Sequence, residues 1–157
     1  MKKSSGALIT YNKRMLMLLR DNNPNIPDHD CWQLIGGYSE ANETPIETLI
    51  REVKEESNLQ IKKDVPIEIG KIIVPEKQEY FLYWIKLSEE KIKDIKLGNE
   101  GQKIDFFSVE ELNKINLGPA LFNYLQEFKE GLKNVVENEI LDKRALGFDG
   151  NGLYIIK

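Results

Sequence analysis

Residues 36–59 read GGYSEANETPIETLIREVKEESNL, and the fold and the chemistry both follow from how this stretch is parsed. From Thr44 onward it is punctuated as a helix. Thr44 is a good N-cap, Pro45 suits the first helical position, and Glu47 completes a Thr-x-x-Glu capping box. Ile46, Leu49, Ile50 and Val53 recur at helical spacing and give the helix one apolar face. Its end is predicted near Ser57–Asn58, because Asn tolerates the left-handed conformation that closes a helix. Glu52, Glu55 and Glu56 fall at i, i+3 and i+4 and project together from the side away from that stripe. Like charges at this spacing cost stability, and a divalent cation removes the repulsion. Mg²⁺ suits such a set because it takes oxygen ligands and shares its shell with water and phosphate oxygens.

An acidic face alone is most often a solvated one. Here it follows a Gly36–Gly37 turn, an isolated Glu43 and a capped helix start, with Arg51 immediately before the first carboxylate. Arg51 is expected to pair with Glu43 through a charge-assisted fork, which makes it an organiser rather than a phosphate binder. Gly37, Glu43 and Arg51-Glu52-Val53-Lys54-Glu55-Glu56-Ser57-Asn58-Leu59 resemble the Nudix box, G-x5-E-x7-R-E-U-x-E-E-x-G-U with U a bulky aliphatic. Each fixed position matches except the last Gly, which is Asn58 here. The resemblance implies an α/β/α sandwich with a mixed central sheet. It also implies Glu52, Glu55, Glu56 and the Gly36 carbonyl as metal ligands, with Glu43 and Arg51 as the structural pair. The implied reaction is attack of water on a phosphorus of a nucleoside diphosphate linked to another moiety. Mg²⁺, or alternatively Mn²⁺, would neutralise the diphosphate and acidify the attacking water, and a carboxylate would accept the proton. The general base is left among Glu55, Glu56 and Glu100, the last lying in a Gly-flanked loop where some family members place a metal-binding or basic Glu.

Working outward, SGALITY and RMLMLLR read as a strand hairpin turning at Asn12–Lys13, the second strand being apolar on both faces as a central strand should be. DNNPNIPDHD is a polar loop, and CWQLI a short strand stopped by Gly36–Gly37. After the helix come the strands PIEIGKIIV, EYFLYWIKL and KIDFF, then SVEELNKI with a Ser-x-x-Glu box. A longer amphipathic helix is expected from Pro119 to about Val136, using Leu121, Phe122, Leu125, Phe128 and Leu132, and LYIIK is a last strand. Strands and helices alternate without a regular βα rhythm, so the class is α+β. Residues 1–157 form one domain, with 137–157 a candidate C-terminal extension that would form a homodimer by adding LYIIK to a neighbour's sheet edge.

Substrate contacts are assigned to three residues. Arg20, at a strand end, would meet a phosphate, although a surface salt bridge is the commoner role; Tyr38, at the turn, would touch the ligand; and Trp32 would stack on a base, although core packing is the commoner role for such a Trp. Tyr80, Phe81, Tyr83 and Trp84 read mostly as core. Asp28-His29-Asp30-Cys31 is a polar loop rather than a metal cluster, since four adjacent residues cannot face one ion without strained backbone.

Composition bounds the partners. The chain is 41% hydrophobic and 31% charged with a net charge of −4, a balance that argues against a nucleic-acid polymer but not against a nucleotide-type small molecule. The single cysteine, Cys31, excludes an intrachain disulfide and a thiolate zinc site, and the single His29 leaves no sign of Ser-His-Asp chemistry. No signal or membrane segment is read, so a cytoplasmic location is expected. The function expected is a Mg²⁺-dependent pyrophosphohydrolase acting on nucleoside triphosphates, oxidised ones included, in a sanitising role. A nucleotide-sugar or dinucleotide diphosphatase is the alternative, and a non-catalytic nucleotide-binding module ranks below both.

Overall fold

The computed structural model describes residues 1–157. Strands β1 (Lys2–Tyr11), β2 (Arg14–Leu19), β3 (Trp32–Tyr38), β4 (Ile67–Val74), β5 (Gln78–Lys86), β6 (Lys103–Phe107) and β7 (Leu153–Ile155) form one sheet in the order β6-β2-β3-β1-β5-β4-β7. The helices are α1 (Pro45–Ser57), the single turns α2 (Glu89–Ile92) and α3 (Val109–Leu112), and α4 (Pro119–Asn138). The pairs β1–β5 and β4–β7 are parallel and the others antiparallel, so the sheet is mixed.

Strand alternation sends each side chain to one of two cores. Met15 and Met17 of β2 face the layer built by α3 and α4 with Leu125, Leu132 and Val135. Leu16 and Leu18 face the other layer, where α1 inserts Leu49 and Val53. Two apolar layers, each covered by helices, make this an α+β protein with an α/β/α sandwich.

Most expected elements form where their local signals lie. Asn12 and Lys13 both take positive φ at the first hairpin, and Asn58 closes α1 with φ 65. Both arms of the Thr44–Glu47 capping box are made, as are those of Ser108–Glu111. Two expectations need correction. The third strand does not stop at Gly36 but runs to Tyr38, because Gly36 and Gly37 continue the antiparallel ladder opposite Gly6 and Ser5 of β1. Phe122 lies outside the buried stripe of α4 and is 48% exposed, and Phe128 breaks the helical geometry midway. The LYIIK segment forms the expected last strand, at the edge of the protein's own sheet beside β4. Between α4 and β7, Leu146 and Phe148 are buried in the core, so the tail is packed into the sandwich. No helix is long and apolar enough to cross a membrane.

Candidate active site

The capped N-terminus of α1 fixes the rotation of the helix. Leu49 and Val53 then point into the sheet, and the opposite side presents Arg51, Glu52, Glu55 and Glu56 beside the end of β3. Arg51 organises this side. Its Nε donates to Glu43 Oε2 at 2.7 Å and its Nη2 to Glu43 Oε1 at 2.9 Å, a bidentate fork across the loop. Nη2 also donates to the Tyr38 carbonyl at 2.9 Å, while Nη1 reaches Glu52 at 2.8 Å and Glu55 at 3.2 Å. Glu43 further accepts from the Glu40 amide at 2.7 Å and from Thr48 Oγ1 at 3.1 Å. The Arg51 guanidinium is the main cause that holds the Glu43 carboxyl at about 2.

The remaining carboxylates sit in harsher surroundings. Glu56 accepts the Gly36 amide at 2.7 Å, yet burial pushes its carboxyl up to about 8, and the charges of Glu52 and Glu100 add to the shift. Burial likewise raises Glu52, against the nearby Arg51, with Glu55 and Glu100 contributing. Glu100 therefore lies near enough to act on both, although it is 44 residues from Glu56 in sequence (100 − 56). The segment before it runs along the end of α1: the Gly98 amide donates to the Glu56 carbonyl at 3.3 Å. A Cβ on Gly98 would stand 1.9 Å from the Glu55 carbonyl oxygen, so only glycine permits that approach.

Arg20, just beyond β2, faces the same cluster, and its charge opposes the upward shift of Glu56. Its Nη1 makes a long contact of 3.4 Å to Gln33, and its Nε is buried without a partner. A buried donor without an acceptor is costly, and such an orphan marks a place for an incoming oxygen. Trp32 and Tyr38 are drawn apart from each other. Trp32 stacks edge-on against Phe107, with centroids 4.7 Å apart, and packs on the α4 side of the core. Tyr38 is 55% exposed under the Lys2 ammonium, 5.1 Å from its ring centroid. The 28–31 loop is mostly exposed and holds no metal-ligand cluster.

The donor set fits a hard divalent cation in chemistry: carboxylate oxygens, half-buried and mutually repelling. Gly37 supplies the cradle, since a Cβ there would fall 2.5 Å from the Glu52 carboxyl carbon and fill the space between β3 and the helix. As they stand, the side chains turn to protein partners, Glu52 and Glu55 to Arg51 and Glu56 to Gly36, and no three are grouped to hold an ion.

Two further residues, neither of them among the expected site residues, bear on this region. Tyr80 was read as core. It lies against the α4-side core with its hydroxyl over Gly6, where a Cβ would fall 1.7 Å from the oxygen, and the Glu56 charge is among the influences on it. Asp21 accepts the Gly101 amide at 3.1 Å and so supports the Glu100 loop. Neither has a local signal, since both act through strands and loops distant in sequence.

A NUDIX-domain family profile matches residues 2–128. The chain belongs to the Nudix family. It is 27% identical over 110 residues to an ADP-ribose pyrophosphatase of Methanocaldococcus jannaschii, an alignment that takes in 69% of this chain and 62% of that protein. This Nudix protein thus spans less than two thirds of that relative's length. Among solved structures it resembles a NUDIX hydrolase from Nitrosomonas europaea, with TM-score 0.69, 23% identity, and 99% and 78% of the two chains covered. The MutT protein from Methanosarcina mazei Go1 is similar at TM-score 0.62 and 24% identity, over 82% of this chain and 93% of that one. A bifunctional NMN adenylyltransferase/ADP ribose pyrophosphatase from Francisella tularensis, complexed with AMP and a Mn ion, matches at TM-score 0.61 and 18% identity, over 80% and 41%. At these identities the structures testify to a common fold.

Proposed function

We propose that this Nudix protein is a Mg²⁺-dependent pyrophosphohydrolase that cleaves a nucleoside diphosphate linked to another moiety by attack of water on phosphorus. The observation that carries the reading is the Arg51–Glu43 fork, whose guanidinium also bonds Glu52 and Glu55, beside Glu56 bonded to the Gly36 amide at the end of β3. Glu52, Glu55, Glu56 and the Gly36 carbonyl would hold the metal, with Glu100 joining from its loop. A bound divalent ion supplies charge neutralisation for the diphosphate and a more acidic water. The chain's own residues do the rest. Arg20 offers its unpaired Nε–H to a phosphate oxygen, and a carboxylate among Glu55, Glu56 and Glu100 takes the proton of the attacking water. Tyr38 stands exposed at the rim for ligand contact.

Within that reaction class, the nucleoside triphosphate and nucleotide-sugar readings differ in the second moiety. Similarity to an ADP-ribose pyrophosphatase favours the nucleotide-sugar side over the triphosphate expected first. A panel of nucleoside triphosphates, ADP-ribose, other nucleotide sugars and dinucleoside polyphosphates, assayed for product with Mg²⁺ and with Mn²⁺, tests both. Glu55→Gln and Glu56→Gln should each lose turnover while staying folded. Full activity in both variants would remove the assigned site, and nucleotide binding without product over hours would instead indicate a non-catalytic module.

A further inference from the structure

Glu100 is exposed, and its segment is fixed from both ends. On one side Gly98 is pinned to the Glu56 carbonyl, as described above. On the other, three bonds hold the chain to the end of β2. The Gln102 amide donates to the Leu19 carbonyl at 2.8 Å, the Gly101 amide to Asp21 Oδ1 at 3.1 Å, and the Gln102 side chain to the Arg20 carbonyl at 2.8 Å. The same Gln102 Nε2 donates to Asp30 Oδ1, also at 2.8 Å, so both of its N–H groups are used. Asp30 is itself fixed, its amide donating to the Asp21 carbonyl at 3.1 Å and its carbonyl accepting from Asn116 Nδ2 at 3.0 Å.

One exposed side-chain amide therefore ties together the Glu100 segment, the Arg20 backbone and the 28–31 loop. An exposed Gln usually samples several rotamers, and two bonds to fixed acceptors restrict it to one. Resting on the reading that Glu100 acts with Glu52 and Glu56, we infer that Gln102 is a positioning residue whose latch to Arg20 and Asp30 sets the placement of Glu100 and through it the affinity for the divalent ion. The latch also holds in one frame Arg20 and Glu100, whose opposite charges both act on Glu56.

The sensitive substitution is isosteric. Gln102→Glu keeps the volume but turns an acceptor toward a carbonyl and a carboxylate, so the latch opens. Gln102→Lys restores a donor. Mn²⁺ binding to the substrate-free full chain, measured by calorimetry, reads the effect without turnover. The expectation is a loss of about fivefold in affinity for Gln102→Glu in the natural background and less than about twofold when Glu100→Gln is already present, with Gln102→Lys closer to the parent. Equal losses in both backgrounds, or no loss for Gln102→Glu, overturn the inference. Gln102→Leu, which removes the donors without adding charge, serves the same cycle if the new carboxylate disturbs the melting temperature. Glu52→Gln and Glu56→Gln are measured alongside. If those two leave Mn²⁺ binding intact, the proposed function fails irrespective of Gln102; if they abolish it while the cycle shows no coupling, only the latch fails.

Discussion

Glu56 and Glu43 are two glutamates of one cluster whose surroundings drive their carboxyls in opposite directions. Glu56 goes from 4.5 up to about 8 through burial, so the folded chain holds a proton there that the unfolded chain has released. Its contribution to stability therefore falls as pH rises from about 4.5 through about 8. Glu56→Gln keeps an oxygen for the Gly36 amide and carries no charge to bury. It should raise the metal-free melting temperature at pH 8, by a stabilisation of about 1–2 kcal/mol, with little gain at pH 5. The same change should cost roughly a hundredfold or more in turnover, and thermal melts in chelator beside a rate assay check both halves. Glu43 behaves in the reverse sense. Its carboxyl is lowered to about 2, so its contribution is complete above 4.5 and is lost as pH falls toward 2. Glu43→Gln should lower stability at pH 7 and flatten the acid limb between pH 4.5 and 2; an acid titration followed by circular dichroism distinguishes the two curves.

At the scale of elements, α1 is held at both ends by chemistry that is visible in the sequence. Thr44→Ala breaks the capping box and should cost about 1 kcal/mol in urea unfolding. Asn58→Ala forces a β-carbon into φ 65 and also loses the Asn58 bonds to Lys54 and the Asp94 carbonyl, for about 1–2 kcal/mol. These ends were legible because a cap is a bond between residues three or four apart, and so was the charge pattern of Arg51, Glu52, Glu55 and Glu56. Legibility faded where partners are remote. Nothing near Gly36 discloses that Gly6 lies opposite and keeps β3 going to Tyr38. Nothing near Gly98 discloses the Glu55 carbonyl against it, and nothing in EYFLYWIKL separates Tyr80, beside the site, from Trp84 in the core. Gly98→Ala should accordingly weaken Mn²⁺ binding more than it lowers the melting temperature, because the displaced segment carries Glu100; calorimetry and melts on one preparation compare them.

For the molecule as a whole, the C-terminal residues complete the core that the sheet begins. Phe148 is 2% exposed and its ring occupies the space that Gly70 of β4 leaves empty, while Tyr124 Oη donates to the Leu146 carbonyl at 2.6 Å. Phe148→Ala should cost about 3–5 kcal/mol in chemical denaturation, and removing residues 145–157 should cost more. The NUDIX match ends at residue 128, so this closure lies outside the matched region yet holds its edge strand in place. The position of β1 has a further consequence. It is the middle of the finished sheet, flanked by β3 on one side and by β5 in parallel on the other, with Lys2 opposite Gln78. Residues 12–77 separate β1 from β5, so this pairing is a long-range closure, and until it forms Ala7, Leu8 and Ile9 remain unsealed on that side. Before β5 closes on β1, association with other chains competes with folding for that unpaired strand edge.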